Sequence, residues 1–194
     1  MNRSRLAGLL VVLVTLLGAV VYGSQGAKGT TATKAALLAP LRAAAALGPC
    51  PIGIGPALPK LTLACLGGGP PVRLDGAASG VPTLVNVYGS WCAPCQREMP
   101  ILVAFSRQAK GRVALLGVDT EDEARLALLF AKDVGQTWPA VVDDDKVVLR
   151  RYASGPPVTL FVDARGTVAH VQVGPFAGVA QIAALAKTYL GVSV

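Results

Sequence analysis

The sequence predicts an α/β fold in which helices flank a mixed central β-sheet. From about residue 50 onward, apolar β-favouring segments alternate with helical patterns in the order βαβαββα. Units of strand, helix and strand form parallel pairs through right-handed crossovers. The last two strand segments are separated only by DARG (163–166), a turn short enough to join antiparallel neighbours. The sheet is therefore expected to contain both kinds of pair.

Each element follows from a local pattern of apolar residues. The predicted strands are 83–88, 112–118, 139–142, 158–162 and 167–173, preceded by a strand-like stretch at about 61–74. The predicted helices are 93–110, 121–134 and 176–190. With 53% apolar and 15% charged residues, the chain has ample material for a core around this sheet.

The first 27 residues are predicted to form a signal anchor and tether. Arg3 and Arg5 precede an uncharged apolar run of 17 residues that begins at Leu6, which is at the short end of what spans a bilayer. The arginines favour a cytoplasmic N-terminus and an exported remainder, so we expect a single-pass protein of the cell membrane; a cleaved, secreted form is the alternative. No cysteine follows the run, which argues against a lipoprotein anchor. A stem is predicted at 28–59 and the folded domain at 60–194.

The net charge of +7 lies largely outside the predicted domain. Residues 1–72 contain six basic residues and no acidic residue, whereas residues 73–194 contain twelve basic and eleven acidic residues. Binding to nucleic acid requires a basic stripe or patch on the folded part. We therefore expect no nucleic-acid partner; the lipid bilayer is the expected partner of the N-terminal segment.

The segment GSWCAPCQREMP (89–100) carries the clearest chemical signal. Cys92 and Cys95 fall where a buried strand ends and a helix begins, and Pro94 suits the first helical turn. Unpaired N–H groups and the positive end of the helix dipole stabilise a thiolate at such a position. Cys92 is therefore predicted to attack, with a lowered pKa and greater exposure, and Cys95 to resolve the mixed disulfide.

This cysteine pair has two other possible interpretations. Half of a zinc site would need a second knuckle, but Cys50 and Cys65 are fifteen positions apart and do not form one. The single histidine, His170, is expected to be a solvated side chain on a hairpin strand. A purely structural Cys92–Cys95 disulfide is the other alternative. We expect no metal site.

Over about residues 60–192 the sequence resembles the TlpA/ResA/CcmG group of membrane-anchored, thioredoxin-like thiol–disulfide oxidoreductases. The segments that carry this resemblance are LVNVYGSWCAPCQREMP, WPAVVDDD, RRYASGPPVTLFVDARGTV and the VGP at 173–175. The resemblance implies a thioredoxin-like fold that follows an N-terminal membrane anchor and stem.

The resemblance also implies supporting roles around the cysteines. Pro157 matches the group's cis-proline, which presents a substrate backbone beside Cys92, and Pro156 stands where a small or apolar residue is usual. A rigid Pro-Pro loop without that role is the alternative. Trp91 and Pro94, within the motif, are the further supporting residues.

Glu98 is the candidate for moving protons around the thiols. Ordinary thioredoxins carry a buried aspartate in the strand before the motif, and here that position matches Asn86, which cannot take a proton. Glu98 matches the glutamate of the group's C-x-x-C-x-x-E-x-P pattern. The alternative is a carboxylate that merely complements the helix start.

Cys50 and Cys65 enclose a loop rich in proline and glycine. In an exported protein such a remaining pair usually forms a structural disulfide, and closing this loop contributes roughly 3 kcal/mol. An electron relay with Cys92 and Cys95 is the functional alternative. We expect a clasp between stem and domain.

These expectations together describe an extracytoplasmic protein-disulfide oxidoreductase without a bound cofactor. By resemblance it is a reductase of the cytochrome c maturation type, with envelope proteins such as apocytochrome c as substrates and a membrane dithiol as electron donor. A disulfide-forming oxidase or isomerase is the alternative within the same chemistry. A non-catalytic metal or haem chaperone is the alternative from another class.

Overall fold

The computed structural model of the protein describes residues 35–194. The predicted anchor and tether lie outside the described residues. Leu41–Val194 forms one compact unit, which contains all the described strands. Within residues 35–194, the structure contains no helix with the length and apolar character needed to span a membrane.

Seven strands and five α-helices form the described part of the chain. The strands are β1 (Thr62–Cys65), β2 (Val72–Arg73), β3 (Thr83–Tyr88), β4 (Ala114–Thr120), β5 (Ala140–Asp143), β6 (Val158–Val162) and β7 (Val168–Val173). The helices are α1 (35–45), α2 (Ala93–Ala109), α3 (Ala124–Val134), α4 (Val147–Tyr152) and α5 (Val179–Leu185), and a π-helical turn (Ala186–Leu190) follows α5.

All seven strands form one mixed sheet in the order β2-β1-β5-β4-β3-β6-β7. β3 and β5 pair with β4 in parallel, as their helical crossovers predict. β6 pairs antiparallel with β7, as the short turn predicts, and also with β3. The expected mixed sheet is confirmed.

Two elements of the fold differ from the prediction, the strands before β3 and a short helix after β5. The stretch at 61–74 forms two short antiparallel strands, β1 and β2, instead of one. Helix α4 was missed because its six residues are too few to show a period. Its start is stabilised by Asp143, whose carboxylate accepts hydrogen bonds from the N–H groups of Val147 and Val148, each at 2.9 Å.

The central strand β3 is buried along its whole length and separates two cores. Leu84 and Tyr88 belong to the core that also contains the buried side of α2, while Val85 and Val87 belong to the core on the other face. Asn86 lies two residues from both Leu84 and Tyr88, so its side chain projects toward the same face of the sheet, which α2 covers.

Residues before β1 also contribute to the second core. Ile54 and Leu58 are buried there, although both lie in the segment predicted as the stem. Gly55 and Gly166 approach so closely that a Cβ atom on Gly55 would overlap the Cα atom of Gly166. This contact holds the segment against the turn between β6 and β7.

Candidate active site

The two cysteines of the motif lie at the start of α2. Cys92 is the N-cap residue with extended backbone angles, and its Sγ accepts a hydrogen bond from the backbone N–H of Cys95 at 3.2 Å. Ala93 is the first helical residue and Pro94 the second, where a missing N–H costs nothing. One of the unpaired N–H groups of the helix start therefore points at the Cys92 sulfur.

Cys92 and Cys95 are joined by a disulfide bond, so the structure shows the oxidised form. Cys92 is 3% exposed and Cys95 is 1% exposed. The expected order of exposure is kept, but the difference is small in this form, because the surrounding side chains cover both cysteines. The position of the sulfur at the helix start, and not its accessibility, distinguishes Cys92.

The Pro156–Pro157 peptide bond is cis, as expected. The Pro156 carbonyl oxygen lies 3.6 Å from the Cys92 Sγ, which brings the loop before β6 to the cysteine pair. The Pro157 carbonyl accepts a hydrogen bond from the N–H of Gly174. Since neither proline has an N–H, the Pro156 carbonyl is the polar backbone group that this dipeptide presents to the site.

Glu98 lies in α2, one turn beyond Cys95, and is 1% exposed. Its Oε2 accepts a hydrogen bond from Asn86 Nδ2 at 3.2 Å, and its Oε1 accepts one from the N–H of Phe176 at 3.0 Å. Asn86 also donates to Thr159 Oγ1 at 2.9 Å. Glu98 thus joins α2, β3 and the loop after β7 in one buried network.

Burial raises the pKa of Glu98 to about 7, and the hydrogen bonds from Phe176 and Asn86 oppose this shift only in part. No cation contacts the carboxyl in the described hydrogen-bond network. The alternative interpretation, a carboxylate that complements the helix start, does not require the enclosure that this carboxyl has. Its environment allows it to exchange a proton near neutral pH.

The segment before Cys92 is held by Thr120 and Asp122, which no sequence motif indicated. Trp91 is 52% exposed, and its indole N–H donates to the Thr120 carbonyl at 3.2 Å. The Ser90 N–H donates to Asp122 Oδ2 at 2.6 Å. A Cβ atom on Gly89 would lie 2.5 Å from Trp91 Nε1, so a side chain there would displace the indole. The GVDTED segment (117–122) gave no local signal of this contact.

His170 is half-buried, so the expectation of a solvated side chain is wrong. Its ring stacks on Tyr189 with centroids 4.1 Å apart, and Phe161 lies at 5.5 Å. Between residues 35 and 194, no cluster of three or more histidine, cysteine or acidic side chains is arranged to bind a metal. His170 therefore packs the C-terminal turn against β7.

A second disulfide joins Cys50 to Cys65, far along the chain from the first. Cys65 ends β1, and the Cys50 sulfur lies 3.5 Å from the carbonyl oxygen of Ala140 in β5. The bond therefore ties the segment before β1 to the sheet.

Comparison with known proteins agrees with this geometry. The family described as AhpC/TSA matches residues 54–171, which include the cysteine motif, the cis-proline loop and most of the sheet. The chain belongs to the AhpC/TSA family. The family expected from the sequence is confirmed, and its thioredoxin-like domain accounts for the mixed sheet and flanking helices.

Curated relatives of this AhpC/TSA protein are named for disulfide chemistry. It is similar to the thiol:disulfide interchange protein CycY of Rhizobium leguminosarum bv. viciae, with 34% identity over 107 residues, 54% of this chain and 56% of that relative. It is also similar to the thiol-disulfide oxidoreductase ResA of Geobacillus thermodenitrificans, with 32% identity over 125 residues, 63% of this chain and 71% of ResA. The expected enzyme class, a thiol–disulfide oxidoreductase, is confirmed by these relatives.

A solved structure supports the thioredoxin-like fold. A secreted disulfide oxidoreductase of Mycobacterium tuberculosis, homologous to E. coli DsbE, superposes with a TM-score of 0.54 and 23% identity, covering 64% of this chain and 96% of that one. At this identity the similarity concerns the fold alone.

Proposed function

We propose that this protein is an extracytoplasmic thiol–disulfide oxidoreductase that reduces disulfides of envelope proteins through Cys92 and Cys95. The observation that carries the proposal is the hydrogen bond from the Cys95 N–H to the Cys92 sulfur at the start of α2. The same N–H stabilises a thiolate on Cys92 in the reduced form, as a nucleophile at this position requires.

The reaction proceeds through one mixed disulfide. The Cys92 thiolate attacks a sulfur of the substrate disulfide, the substrate S–S bond breaks, and the departing substrate thiolate takes up a proton. The Cys95 thiolate then attacks the Cys92 sulfur and releases the second substrate thiol. The two electrons have passed from the protein dithiol to the substrate, and the protein is left as the observed Cys92–Cys95 disulfide.

Glu98 is assigned the proton transfer in the second step, in which Cys95 attacks the mixed disulfide. Cys95 must lose a proton to attack, and Glu98 lies one helical turn away with a pKa raised to about 7 by burial. A carboxyl poised near neutral pH accepts and returns a proton efficiently. Asn86 cannot do so and instead orients the carboxyl by its hydrogen bond.

The loop at Pro156 and Pro157 is assigned the role of binding the substrate backbone. The Pro156 carbonyl faces the sulfur of Cys92 and can accept a hydrogen bond from the N–H of an extended substrate segment. Trp91, half-exposed beside Cys92, offers that segment an apolar surface. These contacts place a substrate disulfide against the nucleophile.

The membrane context rests on the N-terminal sequence and the relatives. We propose that the segment beginning at Leu6 tethers the protein to the cell membrane, with the domain outside the cytoplasm and a membrane dithiol as donor. Names such as CycY and DsbE among the relatives support a role in cytochrome c maturation, with apocytochrome c as one substrate.

A turnover assay tests the proposed activity. Full-length protein, supplied with a small dithiol, should reduce the disulfides of insulin, and Cys92→Ser should abolish this reduction. The matched control, in which Cys50 and Cys65 are both replaced by serine, should retain the activity. Equal activity in Cys92→Ser and wild type would contradict the proposal.

The redox direction follows from equilibration with glutathione. A reductase should have a potential below about −220 mV, as thioredoxin does, because its disulfide form must be the more stable one. A value near about −120 mV would instead indicate the oxidase alternative.

A further inference from the structure

A second buried carboxyl, that of Asp119, lies near the active-site segment but outside the network of Glu98. Asp119 is in β4, where its backbone pairs with Tyr88 of β3 and Val142 of β5. It is 0% exposed, and neither carboxyl oxygen has a hydrogen-bond donor among the side chains and backbone groups of residues 35–194. An ionised carboxylate in such a place is strongly unfavourable.

The groups that face Asp119 favour the protonated form. The carboxyls of Asp122, from the loop before α3, and Asp144, from the loop before α4, both disfavour a negative charge on it. From β3 it faces Tyr88, whose buried hydroxyl also has no hydrogen-bond partner within the described residues. Burial is the main cause that raises the pKa of Asp119 to about 8, and the negative charge of Asp122 is the second cause.

Asp122 connects this carboxyl to the segment before the nucleophile. Its Oδ2 accepts the Ser90 N–H at 2.6 Å, and Ser90 is two residues before Cys92. The adjacent Thr120 carbonyl accepts the indole N–H of Trp91. The segment of Asp119 to Asp122 therefore holds both residues that lead into the cysteine motif.

We propose that Asp119 is a positioning residue whose carboxylic acid O–H donates a hydrogen bond to the Asp122 carboxylate, so that Asp122 is held where it accepts the Ser90 N–H. The pair then carries one proton and one negative charge. Asp119 is fixed in the sheet by pairing on both sides, whereas Asp122 is half-buried in a loop. Loss of the shared proton places two negative charges together, and the loop is the part that yields.

As a consequence, the position of the segment before Cys92 depends on the protonation of Asp119. With Asp119 protonated, Ser90 and Trp91 keep the contacts described above. After deprotonation Asp122 moves away from Asp119 and the Ser90 N–H loses its acceptor. Trp91, the next residue along the chain, is then held only by its hydrogen bond to the Thr120 carbonyl of β4. The role of this segment in catalysis rests on the proposed function, but the dependence of its contacts on Asp119 does not.

Nuclear magnetic resonance of the oxidised, full-length protein in detergent tests the proposal, because no thiol titrates in that form. The Ser90 amide and the Trp91 indole N–H signals should shift together in one transition between pH 7 and 9.5. Asp119→Asn should abolish the transition and leave both signals at their low-pH positions, since the amide still donates to Asp122. Glu98→Gln is the matched control and should keep the transition.

Asp122→Asn provides a second variant in case Asp119→Asn does not fold. Its amide can still accept from Ser90 and can donate to an Asp119 carboxylate, so no charge repulsion moves the loop and the transition should be lost. Signals of Ser90 and Trp91 that do not titrate in wild type would overturn the proposal, as would a transition that persists unchanged in Asp119→Asn or Asp122→Asn. These results involve no exchange reaction, so they stand apart from any failure of the turnover assay.

Discussion

The backbone N–H of Cys95 donates a hydrogen bond to the sulfur of Cys92 across 3.2 Å, and this contact makes the two cysteines chemically unequal. The sulfur of Cys92 lies outside the first helical turn and receives the N–H, whereas Cys95 lies within the turn; both side chains are buried in the same core. The asymmetry assigns attack to one cysteine and resolution to the other.

The reduced protein should therefore react unequally with an alkylating reagent. At neutral pH, Cys92 should be alkylated at least about tenfold faster than Cys95, since each unit by which a thiol pKa falls raises its thiolate fraction about tenfold. Short pulses of iodoacetamide followed by peptide mass spectrometry measure both rates. Equal rates, or a faster Cys95, would refute the assignment.

Glu98→Gln should change the pH dependence of the resolving step. The pKa of Glu98 is raised to about 7, so the carboxyl is protonated below that pH and able to accept a proton above it. In wild type the rate at which Cys95 releases a mixed disulfide should show an inflection near pH 7, and the variant should lack it. Rapid mixing with a preformed mixed disulfide gives this rate.

Thr159→Val is the matched control for this experiment. It removes the hydroxyl that accepts from Asn86 and leaves the hydrogen bond from Asn86 to Glu98 possible. The control should cost about 1 kcal/mol of stability but retain the inflection. If Glu98→Gln also retained it, Glu98 would be only a structural carboxyl.

The same glutamate should make stability depend on pH in a definite direction. Its pKa is higher in the folded protein than the ordinary value of 4.5, so the folded state binds the proton more tightly. The stabilisation is complete below pH 4.5 and is lost as pH rises through about 7. The free energy of unfolding of wild type, relative to Glu98→Gln, should fall by up to about 3 kcal/mol over this range.

Urea unfolding of the oxidised proteins between pH 4 and 8.5 measures this difference. The contribution of Asp119 is common to both proteins and cancels in the comparison. A difference that stays constant with pH, or that grows in favour of wild type, would show that Glu98 is not buried as described.

The Cys50–Cys65 disulfide should act as a structural clasp. Replacing both cysteines by alanine should lower the free energy of unfolding by roughly 3 kcal/mol, because the bond closes a loop with a sequence separation of 15. Activity per folded molecule should be unchanged. Chemical denaturation measures the loss, and mild reductant should open Cys92–Cys95 while leaving this bond closed. Simultaneous release of all four thiols would contradict the structural role.

Much of the fold could be predicted because its elements carry strong local patterns. The predicted strand at 158–162 matches β6, and the predicted helix at 93–110 differs from α2 by one residue. The segment before β1 was assigned to a stem because its proline and glycine content hides the apolar contacts of Ile54 and Leu58, which arise only when the sheet has formed.

The candidate site was predictable where its chemistry lies in one motif. Cys92, Cys95 and Pro94 share a helix start, and the Pro156–Pro157 loop was found by resemblance. The contacts of Asp122 with Ser90 and of Thr120 with Trp91 join segments about thirty residues apart, so no local pattern reveals them. The enclosure of Glu98 by Phe176 likewise depends on a distant loop.

Trapping of the mixed disulfide tests the central claim most directly. Full-length Cys95→Ser, reduced and then mixed with a disulfide-bonded protein, should accumulate a covalent complex joined through Cys92, because the resolving thiol is absent. Mass spectrometry of the linked peptides identifies the bond, and Cys92→Ser serves as the control. A complex in Cys95→Ser and none in Cys92→Ser is the expected result. A complex that forms through Cys95, or the lack of any complex through Cys92, would contradict the account.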